Sequence, residues 1–241
     1  MREATSWHSD RIQQRISLVR WGHWGTPVLL FPTAGGDAEE VERMQAIASL
    51  WPLIEGGRIK VYSIDSLAGR ALAAGWGSVE HRCWLLNAFE ATVAHEVVPA
   101  IYADCGGRIE VIAAGASIGA FKAVAMICRY PELFRAALAM SGTYDLERLL
   151  GFGGTEDFYF ASPRAFVPGL EGPALDRLRS RFVLLAFGGG RWESPDEAWH
   201  MAGTLGAKGV PNRVDAWGPE WDHDWPTWRE MLPHYLRELT G

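Results

Sequence analysis

The 241-residue chain lacks the features that mark several classes of protein. No apolar run approaches the ~20 residues of a membrane-spanning helix, and the first fifteen residues are polar and charged, unlike a secretion signal. The formal charge of −6 leaves no basic surplus for nucleic acid or an anionic membrane. We therefore expect a cytoplasmic protein that binds neither nucleic acid nor membrane. The chain gives no indication of its oligomeric state.

Cysteine is also scarce, with only Cys83, Cys105 and Cys128 and no CxxC pair. An odd number without a pairing pattern favours free thiols in a reducing compartment. We predict that all three are small buried apolar side chains. The segment 221–225 (WDHDW) could supply metal ligands, but no second cluster has matching spacing, so we expect neither a metal nor a cofactor.

What the chain does contain is an alternation of apolar and helical patterns. Its length favours one domain over residues 1–241, and 48% hydrophobic with 22% charged residues is ordinary for a globular protein. Strands are predicted at 16–20, 28–31, 59–65, 109–114, 136–140, 182–187 and 212–217. Helices are predicted at 38–50, 79–103, 118–130, 195–207 and 226–239. This order predicts an α/β fold with a mostly parallel sheet covered by helices on both faces.

One stretch, 141–180, interrupts the alternation and is rich in glycine and proline. We interpret it as an excursion over the sheet rather than a second domain. Long excursions of this kind often shape a binding site.

Residues 115–119 read GASIG, the GxSxG pattern of a nucleophile elbow. The small residues on either side of Ser117 let a strand and a helix approach closely, and the helix directs its first N–H groups at developing negative charge. The alternative is a glycine-rich turn with an inert serine. The strand predicted before the motif and the helix predicted after it favour Ser117 as a nucleophile.

A serine nucleophile needs a general base, normally histidine. In proteins with this elbow, the chain order is serine, acid, histidine, and the histidine follows the last strand. His223 lies six residues beyond the last predicted strand and just before the closing helix. His234 lies within that helix and His200 precedes the last strand. The other four histidines precede Ser117: His8, His23, His81 and His95.

The acid should lie in the loop after the next-to-last strand, residues 188–197. Glu193 and Asp196 compete there. The run from Ser194 to Glu197 has the pattern of a capping box that starts a helix, which places Asp196 inside the first helical turn. Glu193 stays in the loop at the carboxyl end of the strand. We favour Glu193 as the acid and keep Asp196 as the alternative.

Acyl transfer also needs two N–H donors for the oxyanion. One is predicted to be the N–H of Ile118, directly after the nucleophile, and the other to come from the loop after the strand at 28–31. Ala34 is favoured there, with Thr33 and Gly35 as close alternatives that also contact substrate. The alternative interpretation is an ordinary turn in which Asp37 caps the next helix, and both interpretations are compatible.

The chain has twelve tryptophans, a high number for its length. Six surround the predicted acid and base: Trp192, Trp199, Trp217, Trp221, Trp225 and Trp228. Core packing around the histidine loop is the favoured interpretation, and a wall for an acyl, aromatic or sugar-bearing substrate is the alternative. Trp221 is kept as a substrate-binding candidate, and so is Trp76, in a glycine-rich loop after the strand at 59–65.

Together these motifs resemble the esterase D and antigen 85-like branch of the α/β-hydrolase superfamily. The resemblance rests on FPTAGGD (31–37), GASIGA (115–120), the following FKAVAMICRYPELFRAALAMSG, and HDWPTW (223–228), and it covers most of the chain. Two features depart from the family pattern. The first loop has Pro32-Thr33 where His-Gly is more common, and the best-placed acid is glutamate where aspartate is common.

The resemblance implies an α/β-hydrolase fold, a three-layer sandwich, and a serine hydrolase that cleaves small carboxylic esters without a cofactor. Some members of such families are acyltransferases or thioesterases, which use the same catalytic residues. A third possibility, a non-catalytic binding protein with this fold, would be favoured by loss of the serine, the histidine or the elbow glycines. None of these is lost.

Overall fold

The computed structural model describes residues 1–151 and 153–241, and its centre is an eight-stranded sheet in the order β1-β2-β4-β3-β5-β6-β7-β8. The strands are β1 Arg2–Ser9, β2 Gln14–Trp21, β3 Thr26–Phe31, β4 Ile59–Ile64, β5 Val111–Ala116, β6 Phe134–Met140, β7 Phe182–Phe187 and β8 Asn212–Ala216. β4, β3 and β5 to β8 pair in parallel, whereas β1 and β2 are antiparallel. The prediction of a mostly parallel sheet is confirmed.

Helices cover both faces of this sheet. They are α1 Glu40–Arg43, α2 Ala46–Glu55, α3 Leu67–Ala74, α4 Val79–Thr92, α5 Val98–Asp104, α6 Ile118–Arg129, α7 Leu146–Leu150, α8 Glu156–Ala161, α9 Pro163–Phe166, α10 Gly172–Arg179, α11 Pro195–Ala207 and α12 Trp225–Leu239. Two core clusters lie on opposite faces of the sheet, one with α1, α2 and α12 and the other with α3 to α6 and α11. The central strands are buried on both faces, which is why they read as continuous apolar runs.

The amino-terminal region differs from the prediction. The segment at 16–20 was predicted as an edge strand, but β2 lies inside the sheet, because β1 pairs with it in register from Arg2 opposite Trp21 to Ser9 opposite Gln14. β1 is the true edge. Its side chains are mostly exposed and polar, as suits an edge strand, so no apolar alternation marks it.

The helical predictions differ in detail as well. The helix predicted at 38–50 is broken at Gln45, whose φ of 64° is left-handed. The long helix at 79–103 contains a π-helical turn, Val93–Val97, between α4 and α5. α3 was not predicted, because its short, small-residue sequence includes a glycine that lowers helix propensity.

The excursion at 141–180 forms four short helices, α7 to α10, before the chain enters β7. Phe152 lies outside the described residues. α8 lies against α4, where the side-chain amide of Asn87 donates to the backbone carbonyl of Asp157 over 2.9 Å. Among the described residues, no helix has the length and apolar character to cross a bilayer.

All three cysteines are free thiols. Cys83 and Cys128 are buried, as predicted. Cys105 is only half-buried, and its Sγ lies 3.3 Å from the hydroxyl of Tyr62, so it is not a simple core side chain.

Candidate active site

Ser117 lies between the carboxyl end of β5 and the first residue of α6, with φ 56° and ψ −121°. A non-glycine residue with positive φ is strained, and such strain is characteristic of functional turns. The backbone N–H of Ser117 donates to the carbonyl of Met140 at the end of β6 over 2.9 Å. The sheet therefore holds the strained residue in place at its carboxyl edge.

The two glycines of the elbow are required by close backbone contacts. A Cβ on Gly115 would overlap the carbonyl of Gly119. A Cβ on Gly119 would lie 2.5 Å from the carbonyl oxygen of Phe31 and 2.8 Å from that of Pro32. The first turn of α6 therefore lies directly against the end of β3 and the start of the following loop. This contact brings Ile118, the first residue of the helix, close to the predicted oxyanion loop.

The loop 32–38 is fixed at several points. The carboxylate of Glu40 accepts from both the backbone N–H and the hydroxyl of Thr33, each over 2.7 Å. Further along, the carbonyl of Gly36 accepts from the backbone N–H of Ser66 over 3.2 Å. These contacts determine the path of the chain on either side of Ala34 and Gly35.

The contacts also separate the candidate oxyanion donors. Thr33 is excluded as a donor, because Glu40 already accepts its N–H. In the part of the chain that the structure describes, the N–H groups of Ala34 and Gly35 have no acceptor. Asp37 does not cap α1, whose N-cap is Glu39; its side chain instead accepts from the N–H of Glu39 over 2.9 Å.

Glu193 and His223 meet across two loops at the same edge of the sheet. Glu193 follows β7 and His223 follows β8, and Oε2 of Glu193 lies 3.7 Å from Nδ1 of His223. The side chain of Glu193 is 1% exposed and that of His223 is 22% exposed. Among the described residues, Oε2 has no hydrogen-bond partner. Contacts of this type are commonly loose without substrate and tighten in the reacting complex.

The other oxygen of Glu193 is held from β6. Ser141, the residue after this strand, has its hydroxyl 2.6 Å from Oε1 of Glu193 and 2.9 Å from the indole Nε1 of Trp228. Ser141 is buried and has a φ of 50°. Trp228 is also buried, and its ring packs edge-on against His223 at 5.2 Å between centroids.

Asp196, the alternative acid, is exposed in the first turn of α11. Ser194 is the N-cap of this helix as expected, but its side chain makes no capping hydrogen bond. The predicted capping box is therefore wrong. The reason is tertiary: the carboxylate of Glu197 is buried and accepts from the backbone N–H groups of Tyr144 (2.7 Å) and Asp145 (2.9 Å).

The carboxylates that flank His223 are occupied by other contacts. Asp222 accepts from the backbone and the guanidinium of Arg191 over 2.6–2.8 Å. These hydrogen bonds hold the pKa of Asp222 below its usual value. Asp224 is the N-cap of α12 and accepts from the N–H of Trp225. The histidine loop is further fixed by the N–H of His223, which donates to the carbonyl of Arg191 over 3.0 Å.

The tryptophan cluster is only partly a core. Trp225 and Trp228 are buried, Trp217 and Trp221 are half-buried, and Trp192 and Trp199 are 74% and 55% exposed. The ring of Trp221 packs edge-on against Trp217 at 4.8 Å, and its carbonyl accepts from Gly190. Trp221 therefore joins the acid and histidine loops.

Trp76 is 65% exposed. It lies beyond α3, so its loop does not directly follow the strand, contrary to the sequence interpretation.

Three residues beside the candidate site were missed by the sequence analysis: Glu40, Ser141 and Trp228. The sequence marks Glu40 only weakly: a carboxylate a few residues after a small-residue loop can turn back and accept hydrogen bonds from that loop. Ser141 follows a predicted strand that neighbours the elbow, which could have marked its place at the same edge. Trp228 was named only among the six clustered tryptophans, with packing favoured and a substrate wall as the alternative, and not as a partner of the acid.

Comparison with known proteins places the chain in a family. A family model described as "Putative esterase" matches residues 80–238, more than half of the chain. The chain belongs to this esterase family. It is a carboxylic ester hydrolase, and its predicted resemblance to esterase D and antigen 85-like proteins is confirmed. Among curated protein sequences, none matches the chain at a significant level.

Solved structures share the fold over the whole chain. A ferulic acid esterase is 16% identical with a TM-score of 0.75, covering 100% of this chain and 98% of its own. An S-formylglutathione hydrolase from Staphylococcus aureus is 14% identical with a TM-score of 0.64, covering 100% and 96%. The Mycobacterium tuberculosis protein MPT51 is 16% identical with a TM-score of 0.71, covering 100% and 98%. The α/β-hydrolase fold is thereby confirmed.

Proposed function

We propose that this esterase cleaves small carboxylic esters through an acyl-enzyme on Ser117, with His223 as general base and Glu193 as the acid that orients it. The observation that carries the proposal is the buried Oε2 of Glu193, which lies 3.7 Å from Nδ1 of His223 and has no hydrogen-bond partner among the described residues. It lies at the same sheet edge as the strained elbow that presents Ser117.

In the first step, Nε2 of His223 accepts the hydroxyl proton of Ser117 while Oγ attacks the ester carbonyl carbon. The carbonyl oxygen becomes an oxyanion, which the N–H of Ile118 and that of Ala34 stabilise. The protonated imidazole is stabilised by Glu193 through Nδ1. His223 then gives the proton to the leaving alkoxide, the bond between the carbonyl carbon and that oxygen breaks, and an acyl-serine remains.

In the second step, water replaces the alcohol. His223 removes a proton from the water as it attacks the acyl carbon, and the same N–H groups stabilise the second oxyanion. Return of the proton to Oγ releases the carboxylic acid and restores Ser117. Every group in this cycle is a side chain, a backbone amide or water.

The names of two similar structures guide the choice of substrate probes. One is a ferulic acid esterase, which indicates an oxygen ester, and the other an S-formylglutathione hydrolase, which indicates a thioester. Ser117 can displace either an alcohol or a thiol from the carbonyl carbon, and the same steps then leave an acyl-serine. We therefore propose small oxygen esters as the substrates and thioesters as the comparison.

A fluorophosphonate probe tests the nucleophile. We expect the wild type to be labelled on the peptide that contains Ser117 and to cleave p-nitrophenyl acetate. Ser117→Ala should lose both properties. Ser180→Ala, at an exposed serine whose hydroxyl donates only to the carbonyl of Arg177, is the matched control and should retain both. An unlabelled wild type that also fails to cleave short esters and thioesters would overturn the proposal.

Product analysis with added alcohol separates hydrolysis from acyl transfer. We expect the free acid to be the main product, because the proposed second step uses water. A new ester as the main product would instead assign an acyltransferase to the same residues.

A further inference from the structure

Two hydrogen bonds in series reach the candidate acid from helix α12. Nε1 of Trp228 lies 2.9 Å from Oγ of Ser141, which lies 2.6 Å from Oε1 of Glu193. An indole N–H can only donate, and a hydroxyl carries a single proton. Ser141 therefore accepts from Trp228 and gives its only proton to Glu193.

This direction assigns different partners to the two oxygens of Glu193. Oε1 accepts from the hydroxyl of Ser141. Oε2 has no other partner among the described residues and faces Nδ1 of His223. The imidazole of His223 is therefore the group that Oε2 of the buried carboxylate can contact.

Trp228 contacts His223 directly and reaches Glu193 through Ser141. Its ring lies edge-on to the imidazole of His223, with an interplanar angle of 81°, while its N–H reaches Glu193 through Ser141. The side chain is 4% exposed and is anchored on α12. One rigid side chain therefore sets the position of the base and, through one hydroxyl, that of the acid.

We infer that Ser141 and Trp228 are positioning residues for the reaction proposed above, on which this inference rests. They direct Oε2 of Glu193 toward His223. The other charged groups beside His223 are committed elsewhere, since Asp222 pairs with Arg191 and Asp224 caps α12.

Four variants test the inference. Ser141→Ala removes the hydroxyl, and Ser141→Gly removes it while relieving the left-handed backbone, so at least one should fold. Trp228→Phe keeps the ring against His223 but removes the N–H. Trp217→Phe is the matched control, because it also removes one indole hydrogen bond to a hydroxyl, that of Tyr235 at 2.7 Å.

We expect loss of the Ser141 hydroxyl to lower kcat about tenfold, with KM little changed, because the base is misoriented. Trp228→Phe should act in the same direction more weakly, and Trp217→Phe should change neither quantity. A merely structural role would lower the amount of folded enzyme without changing kcat per folded molecule.

A second readout does not depend on turnover. The Nδ1 proton resonance of His223, assigned by its loss in His223→Gln, should shift in Ser141→Gly but not in Trp217→Phe. An unmoved resonance, or an unchanged kcat, would overturn the inference. If the wild type cleaves no ester or thioester, the proposed function fails, while this resonance still decides whether Ser141 positions the pair.

Discussion

The two halves of the candidate site are built in different ways. The nucleophile half consists of β5, the first turn of α6 and the loop after β3, and its decisive contacts are between backbones. The acid–base half consists of the loops after β6, β7 and β8 together with α12, and its decisive contacts are between side chains. In the first half, a Cβ added at Gly115 or Gly119 would overlap backbone atoms. In the second half, the contacts are side-chain hydrogen bonds that a truncated side chain would lose.

The difference also concerns distance along the chain. The elbow glycines, Gly115 and Gly119, are four residues apart, so a short motif contains them. Ser141 is 52 residues from Glu193 and 87 from Trp228. The first half of the candidate site can therefore be recognised from a local sequence pattern. The second half can be recognised only when the order of the strands in the sheet is known.

The largest expected effect concerns the identity of the acid in the acid–base half. Glu193→Gln should lower kcat on the order of 10⁴-fold, because an amide cannot stabilise the histidine cation or hold its tautomer. Asp196→Asn is the matched control and should change kcat by about twofold or less, since Asp196 is exposed on α11. Steady-state kinetics on p-nitrophenyl acetate measures both. A collapse in Asp196→Asn alone would reverse our assignment.

The next largest effect is expected in the nucleophile half. Gly119→Ala should lower kcat on the order of 100-fold and destabilise the protein by about 1–3 kcal/mol, because its Cβ would press on the carbonyls of Phe31 and Pro32. Gly203→Ala, in α11 with nothing within 4 Å of the added Cβ, should be neutral or stabilising by up to about 1 kcal/mol. Urea unfolding compares them. Equal stability of the two variants would refute close packing at the elbow.

A smaller effect is expected at Glu40, whose side chain accepts hydrogen bonds from Thr33 in the nucleophile half. Glu40→Gln replaces one of the two oxygens that accept from Thr33 with an amide donor and should lower kcat up to about tenfold, because the oxyanion loop loosens. Glu39→Gln, at the exposed neighbouring residue, should leave kcat within about twofold. If both variants match the wild type, Glu40 does not hold the oxyanion loop.

The smallest effect is expected at the surface pair Asp222 and Arg191. Hydrogen bonds from Arg191 lower the pKa of Asp222, so the stabilisation they provide is present above the ordinary aspartate pKa of about 3.9 and is lost as pH falls through the lowered value. Asp222→Asn should therefore lower Tm slightly at pH 7, with the difference disappearing in acid. Thermal melts across pH measure this, and a difference that persists at pH 2 would contradict it.

Much of the fold was predictable because buried parallel strands and amphipathic helices carry strong periodic signals. β7 and α11 lie within their predicted bounds. β1 was missed because an exposed edge strand needs no apolar pattern, and α3 because small residues and a glycine weaken the helical signal. The capping box at Ser194 failed for a different reason: the side chain of Glu197 is used by the backbone of Tyr144 and Asp145, which no local pattern reveals.

The sequence by itself determined the strand–turn–helix motif around Ser117 and the small-residue loop at 32–36, because each depends on neighbours within a few positions. Only the tertiary structure decided that Thr33 is bound by Glu40 and that Glu193, not Asp196, lies beside His223. It also connected Glu193 to Trp228 through Ser141. These contacts depend on the order of strands in the sheet, which brings distant side chains to one edge.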